Sequence, residues 1–503
     1  MSDRYVIAMD VGTSGMKVVL IDDEANVVAS ERGALWPKFP KEGWAESDPE
    51  EWWQTGCRIC KSLLAKTGID PEKIVGVGFD AAAYGFIPVK AGKGCLYPDI
   101  IWLDFISEDT ANEMNDKLAA HTGDPDNRPW TSKDCLPKIL WVKKHLPEIW
   151  DEMDCFLPDS SYLVYKATGK LVSSSQNAFC YGYDFAAHKW DMETLSFYGI
   201  EEEKLPPVID AADVVGGLTE EAAAELGLPT GIPVTAGFSD CNAMELGSGC
   251  VNVGDAALYV GTSMLYSYVT DDNPPPCPES DTFPSSNKAH NMLFATNDMS
   301  GGCIDWIIDK LFDPGSFSAS MEHYYEEAGK MIDETPPGAD GLFFTTTFQG
   351  ERQPICDNYV RAGFWNLNPE HGRSHMMRAV HEGVAYQIRW TLEAIDRKYG
   401  ISHKDLVLSG GGARSSHLAQ IIADVTGITI HVQEDPQFSV AKGTAFLSFI
   451  AAGVMTFDDV KKYIHIAEVC KPNPDNKDVY DRGARFYQRF YETTKDFFKD
   501  LNG

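Results

Sequence analysis

Eight residues, Asp10-Val-Gly-Thr-Ser-Gly-Met-Lys17, bring together an acid, two glycines, two hydroxyls and a cation, the components of a phosphate and magnesium site. Gly12 and Gly15 let the backbone turn sharply, so that N–H groups and the Thr13 and Ser14 hydroxyls can approach an oxyanion. Asp10 closes the apolar run that begins at Tyr5 and is placed to hold Mg²⁺ through water, while Lys17 adds a point charge. An ordinary hairpin with a glycine-rich turn would carry the same residues. The flanks bear on the choice, because both read as strands and Glu24-Ala-Asn26 offers a second turn before Val27-Val28-Ala29.

The same plan returns at Ala256–Val269, where a strand meets Gly261-Thr262-Ser263 and a second strand follows. Two phosphate-type turns in one chain are far less expected by chance than one. Further on, Leu408-Ser-Gly410-Gly-Gly412-Ala413-Arg-Ser415-Ser416 reads as a strand emptying into three glycines and a helix, where backbone can approach a base or a phosphate unobstructed. A flexible loop would also use three glycines, but Ser415 and Ser416 suit a helix N-cap. Asp240 stands at the tip of the strand and small-residue turn Gly231–Asp240. A hydroxyl is a poor nucleophile at neutral pH, and a carboxylate there could take its proton during phosphoryl transfer. Asp is equally favoured as a helix N-cap, and the two roles are compatible.

These residues need strands and helices to hold them. Ile74–Phe79 reads as a further strand, and helices are expected at about 107–121, 137–153 and 371–399. The Pro/Ser/Asp-rich stretch 272–287 reads as an exposed loop, and the chain from about 456 as a charged helical terminus packing on a neighbouring domain. Cys57-Arg-Ile-Cys60 has redox or zinc spacing, yet it falls in a helical segment with no second pair nearby and reads as structural.

A chain of 503 residues exceeds one ordinary core, so at least two domains are expected, with a cleft between them as the place for chemistry. Against 43 basic residues stand 75 acidic ones, a net charge of −32 that disfavours nucleic acid and anionic lipid. No apolar run of about eighteen residues is present to span a bilayer, and the N-terminus enters a strand without a leader-like region. A cytoplasmic enzyme with reduced thiols is the expectation.

With these motifs in order, the chain resembles the FGGY family of carbohydrate kinases, within the actin-like ATPase superfamily, and among them the xylulokinases. The resemblance runs from Asp10 to about Gly453 and includes Trp102-Leu-Asp104, Leu136-Pro-Lys138, Ala236-Gly-Phe-Ser-Asp240, Gly350-Glu-Arg-Gln-Pro354 and Ser409-Gly-Gly-Gly-Ala413. It implies an α/β fold of two ribonuclease H-like domains with a central cleft, residues 1–248 on the sugar side and 249–503 on the nucleotide side. Their closure over ATP, Mg²⁺ and a sugar would exclude water. Asp240 is implied as general base, and Asp10 as the Mg²⁺ residue, with Thr13 and Lys17 near the transferring phosphate. Thr262 would contact the γ-phosphate, Gly411 and Gly412 the nucleotide phosphates, and Ala413 and Ser416 the nucleoside end. Gly301 and Asp305 would line the nucleotide cleft. Dimers are common among similar enzymes.

The sugar side departs from the xylulokinase pattern. Ala83-Tyr84-Gly85 stands where those enzymes carry Met-His-Gly, Ile106 where an Arg follows the Trp-x-Asp element, and Asp80 in place of a small polar residue. Asp80, Tyr84, Asp104 and Asn177 remain as candidates to bind a sugar beside Asp240. A pentulose such as D-xylulose is the expected acceptor. Another ketose, a polyol or a sugar acid is the alternative, ahead of a non-kinase actin-like ATPase or an idle sugar sensor.

Overall fold

The computed structural model describes residues 4–125, 127–312 and 321–503, and within these each Gly-Thr-Ser turn closes a hairpin in its own seven-stranded sheet. One unit comprises the chain up to Gly247 together with Pro284–Lys288 and Val440–Tyr463. The other comprises Ser248–Phe283, Ala289–Ser439 and Ile464–Gly503.

In the first unit, β1 (Tyr5–Gly12), β2 (Gly15–Asp22) and β3 (Val27–Ala34) form an antiparallel meander. The helix α1 (Pro49–Thr67) follows, fixed by an Asp48 carboxylate that accepts from the Glu50 N–H, by Pro49 at its first position and by Gly68 in the left-handed region at its end. Next come β4 (Ile74–Ala81), α2 (Cys135–His145), α3 (Asp159–Thr168), β5 (Val214–Gly217), β6 (Pro233–Thr235), β7 (Phe238–Ser239) and α4 (Asp240–Gly247). The sheet order is β5-β6-β4-β1-β2-β3, with β7 also pairing β4. Val6 to Val11 is buried without alternation, the pattern of a strand covered on both faces. Helix α1 covers one face, and the helix Ser439–Ala451 crosses β4 so closely that a Cβ on Gly78 would meet Ser448 Oγ at 2.4 Å.

The second unit repeats the plan with β8 (Ala256–Val260), β9 (Met264–Thr270), β10 (Asp281–Pro284), β11 (Asn291–Asn297), α5 (Gly301–Ile307), α6 (Arg373–Tyr399), β12 (Asp405–Ser409), α7 (Ser416–Thr426), β13 (Thr429–Gln433), β14 (Ile466–Cys470) and α8 (Lys477–Asn502). Its order is β10-β11-β9-β8-β12-β13-β14. In both sheets an antiparallel triplet lies beside two parallel strands, β4 and β6 in one and β12 and β13 in the other. This is the α/β architecture expected from the sequence.

Three local expectations need correction. The helix expected at 137–153 is two helices, Cys135–His145 and Pro147–Glu152, because Pro147 lacks an N–H and drives Leu146 out of the helical region. The stretch 272–287 is not simply exposed: it holds β10, and Ser285 and Ser286 are wholly buried around Glu245. The C-terminal region contains the edge strand β14 before α8, and α8 packs on α6 and α7 of its own unit. Cys57 and Cys60 face the core from α1, and burial pushes both thiols up to about 12, so neither is a thiolate at neutral pH.

Candidate active site

In the first unit, strand register does what sequence spacing cannot. Asp10 on β1 lies opposite Asp80 on β4, and Phe238 of β7 also pairs with Asp80, so Asp240 emerges two residues later at the first turn of α4. Three acids thus converge at the carboxyl ends of adjacent parallel strands. Asp80 is fully buried; its Oδ2 accepts from the Thr444 hydroxyl and its Oδ1 meets no donor. Burial first, then the negative charge of Asp10, then that of Asp240, holds the Asp80 carboxyl well above the usual range, against the pull of Thr444 and Lys17. Lys17, opposite Asp10 across the hairpin, brings its Nζ to 3.0 Å from Asp10 Oδ2.

The turn itself is braced from outside. Trp102 Nε1 donates to Thr13 Oγ1 at 2.9 Å, the Ser14 carbonyl accepts from the Leu35 N–H, and Gly12 keeps its backbone open. Among the described residues no group of three His, Cys, Asp or Glu side chains is gathered to hold a metal ion. Mg²⁺ commonly takes one or two carboxylates and fills its remaining positions with water and phosphate oxygens, and the single carboxylate of Asp10 near the turn, with the Thr13 and Ser14 hydroxyls beside it, fits that need.

The other sugar-side candidates have varied settings. Tyr84 sits in the left-handed region at φ 71°, its hydroxyl against the Cys180 thiol and its carbonyl accepting from Lys138 Nζ at 2.7 Å. Asp104 is wholly buried and accepts from the Ala45 and Ile106 N–H groups, so its carboxylate organises the loop that carries Trp102. Asn177 donates to Ser160 Oγ at 2.8 Å, at the start of α3. Two acids that the motifs did not single out, Asp99 and Asp159, line a small cavity with Gly12, Thr13, Ala82 and Trp102. Both are raised chiefly by burial, Asp99 to about 7. They escape a motif search because neither belongs to a local pattern.

In the second unit the strand ends β8 and β12 lie side by side, with Tyr259 opposite Ser409. Gly261 and Gly410 therefore leave the sheet together. A Cβ on Gly410 would meet the Val260 carbonyl oxygen at 2.5 Å, and one on Gly301 the Gly261 oxygen at 2.3 Å, so both contacts require glycine. The Thr262 carbonyl accepts from Ser300 N–H and Gly302 N–H, which ties the second turn to α5 and to Asp305. Burial raises the Asp305 carboxyl. Gly411 faces open space, Gly412 and Ala413 are buried, and Ser415 rather than Ser416 caps α7, accepting from the Leu418 N–H. Tyr325, also outside the motifs, donates to the Gly411 carbonyl at 3.2 Å.

The model of the FGGY family of carbohydrate kinases, N-terminal domain, matches residues 5–247, and that of its C-terminal domain residues 256–452. The chain belongs to the FGGY family of carbohydrate kinases. It is similar to the xylulose kinase of Staphylococcus epidermidis, with 27% identity over 100% of this chain and 99% of that protein. With the xylulose kinase of Escherichia coli strain K12 it shares 29% identity over 89% and 90%. The crystal structure of xylulose kinase from Rhodospirillum rubrum superimposes with a TM-score of 0.85, at 25% identity over 99% of this chain and 100% of that one. This FGGY kinase is accordingly a phosphotransferase with a sugar hydroxyl as acceptor.

Proposed function

We propose that this kinase transfers the γ-phosphoryl group of ATP to a hydroxyl of a pentulose of the D-xylulose type. The observation that carries the mechanism is the register that sets Asp10, Asp80 and Asp240 at neighbouring strand ends in one family-matched unit. Asp240 takes the proton of the attacking hydroxyl as general base. Asp80, held toward its protonated form, keeps the cluster from presenting a third full negative charge to a phosphate. Bound Mg²⁺, held by Asp10, supplies neutralisation of phosphate charge. Gly12, Thr13, Ser14 and Lys17 bind the transferring phosphate with backbone N–H groups, hydroxyls and a cation. Gly261, Thr262, Gly301, Asp305, Gly411, Gly412, Ala413 and Ser416 bind the nucleotide, and Asp80, Tyr84, Asp104 and Asn177 form the sugar side.

Names of relatives support the pentulose, while Tyr84 turned toward Cys180 supports a second reading in which another ketose, polyol or sugar acid is the acceptor. Among the described residues no helix is long and apolar enough to cross a membrane, and we place the enzyme in the cytoplasm as a homodimer, an assembly that light scattering checks. The test of the whole reading is ADP release with Mg²⁺–ATP across ketoses, polyols and sugar acids. A single strong responder is expected, together with loss of turnover in Asp240→Asn at nearly unchanged nucleotide affinity. Turnover retained by that variant would remove Asp240 from the base role.

A further inference from the structure

The cavity beyond the carboxyl ends of β1 and β4 has a floor of two acids. Val11, Gly12 and Thr13 follow Asp10 into its wall, and Ala81 and Ala82 follow Asp80. Asp99 and Asp159 are the ionisable groups in its lining, which also includes Trp52 and Trp102. Both acids are at least nine-tenths buried. Asp99 Oδ1 accepts from the Phe86 N–H at 2.8 Å, but no protein N–H or hydroxyl reaches Asp99 Oδ2 or Asp159 Oδ1. Burial first, then the negative charge of Asp99, raises the Asp159 carboxyl well above the usual range, so Asp159 is held toward its protonated form beside Asp99. The two carboxyls converge where Gly85 passes: a Cβ there would stand 1.7 Å from Asp159 Oδ1 and 2.6 Å from Asp99 Oδ1. Lys138, wholly buried, donates to the Tyr84 and Ile101 carbonyls and lies close enough to act on Asp99.

The Lys138 ammonium, one carboxylate and one protonated carboxyl sum to a neutral group that still offers an O–H donor and several acceptor lone pairs. Such a floor matches a sugar hydroxyl, which is itself donor and acceptor, and opposes a carboxylate, which brings a negative charge into a dry site without a free cation to meet it. The accessible space is about 20 Å³, room for a single hydroxyl-sized group, so one hydroxyl-bearing carbon reaches the pair while the rest of the substrate lies outside the niche.

We propose that Asp99 and Asp159 are specificity-determining residues of the sugar site, which bind a hydroxyl of an uncharged polyhydroxylated substrate and exclude sugar acids. This rests on the sugar-kinase reading given above, and it narrows the acceptor to neutral ketoses and polyols.

The test compares the wild-type enzyme with Asp99→Asn, Asp159→Asn and the double variant. Binding is read by calorimetry without nucleotide, and turnover by ADP release, on the same panel of ketoses, polyols and aldonic or keto acids. Folding of each variant is checked by circular dichroism and its unliganded melting temperature. The expected result is a wild type that selects a neutral sugar, single variants with KM for it raised about ten- to a hundred-fold, and a double variant whose ratio of kcat/KM for acid over neutral sugar rises about ten-fold or more. Folded single variants with unaltered affinity and unaltered discrimination would overturn the proposal while wild-type ADP release keeps the kinase reading intact. A wild type that prefers a sugar acid would overturn it as well. A wild type that neither binds nor turns over any sugar would overturn both, which the binding arm distinguishes from a purely catalytic defect.

Discussion

At the scale of the residue, the buried acids decide how this enzyme responds to pH and to small substitutions. Thr444 is the donor that Asp80 Oδ2 has, so Thr444→Val leaves a buried carboxyl with neither oxygen paired. We expect a loss of about 1–3 kcal/mol in urea unfolding, and a larger loss at alkaline pH, because Asp80 is then driven further toward its protonated form. Asp99 and Glu245 supply a second case. Burial raises both to about 7, from ordinary values of 3.8 and 4.5. Between those limits the folded chain keeps protons that the unfolded chain has lost, so this contribution is complete below about pH 4 and is lost as the pH rises to about 7. Asp99→Asn removes its part of that loss. Its stability relative to wild type should therefore improve between pH 5 and pH 8 in paired denaturation curves, and a pH-independent difference would show that Asp99 keeps an ordinary value.

At the scale of the element, the helix that begins at Asp240 is placed by a contact with almost no clearance. Gly443, in the helix Ser439–Ala451, lies so near α4 that an added Cβ would stand 1.9 Å from the Ala243 carbonyl oxygen, one turn beyond Asp240. Gly443→Ala must push α4 away. We expect destabilisation of about 1–3 kcal/mol from overpacking, and a fall in kcat of about ten- to a hundred-fold because Asp240 moves with its helix. An enzyme of unaltered kcat with a lowered melting temperature would show that α4 absorbs the shift beyond Asp240. The same scale explains the misread helix at 137–153: apolar periodicity continues through Leu146, and only the missing N–H of Pro147 breaks it.

At the scale of the whole molecule, a net charge of −32 opposes compaction at low ionic strength. Raising NaCl from about 0.01 M to about 0.15 M shortens the screening length from about 30 Å to about 8 Å, and the melting temperature should rise with it. A flat or falling response would mean that local ion pairs such as Arg389 with Glu393 and Asp481 outweigh the net repulsion. Across the chain, the sequence by itself determined whatever depends on neighbouring residues: the two hairpins with Gly-Thr-Ser turns, the glycine-rich turn before α7, Asp10 at a strand end and Asp240 at a helix start. These are legible because turn and cap chemistry acts over a few positions. Tertiary structure alone decided that Asp80 stands beside Asp10, that Thr444 reaches it across 364 positions, and that Asp99 and Asp159 both crowd Gly85. Strand register and helix crossing are settled by packing between distant segments, and no local pattern of residues encodes them.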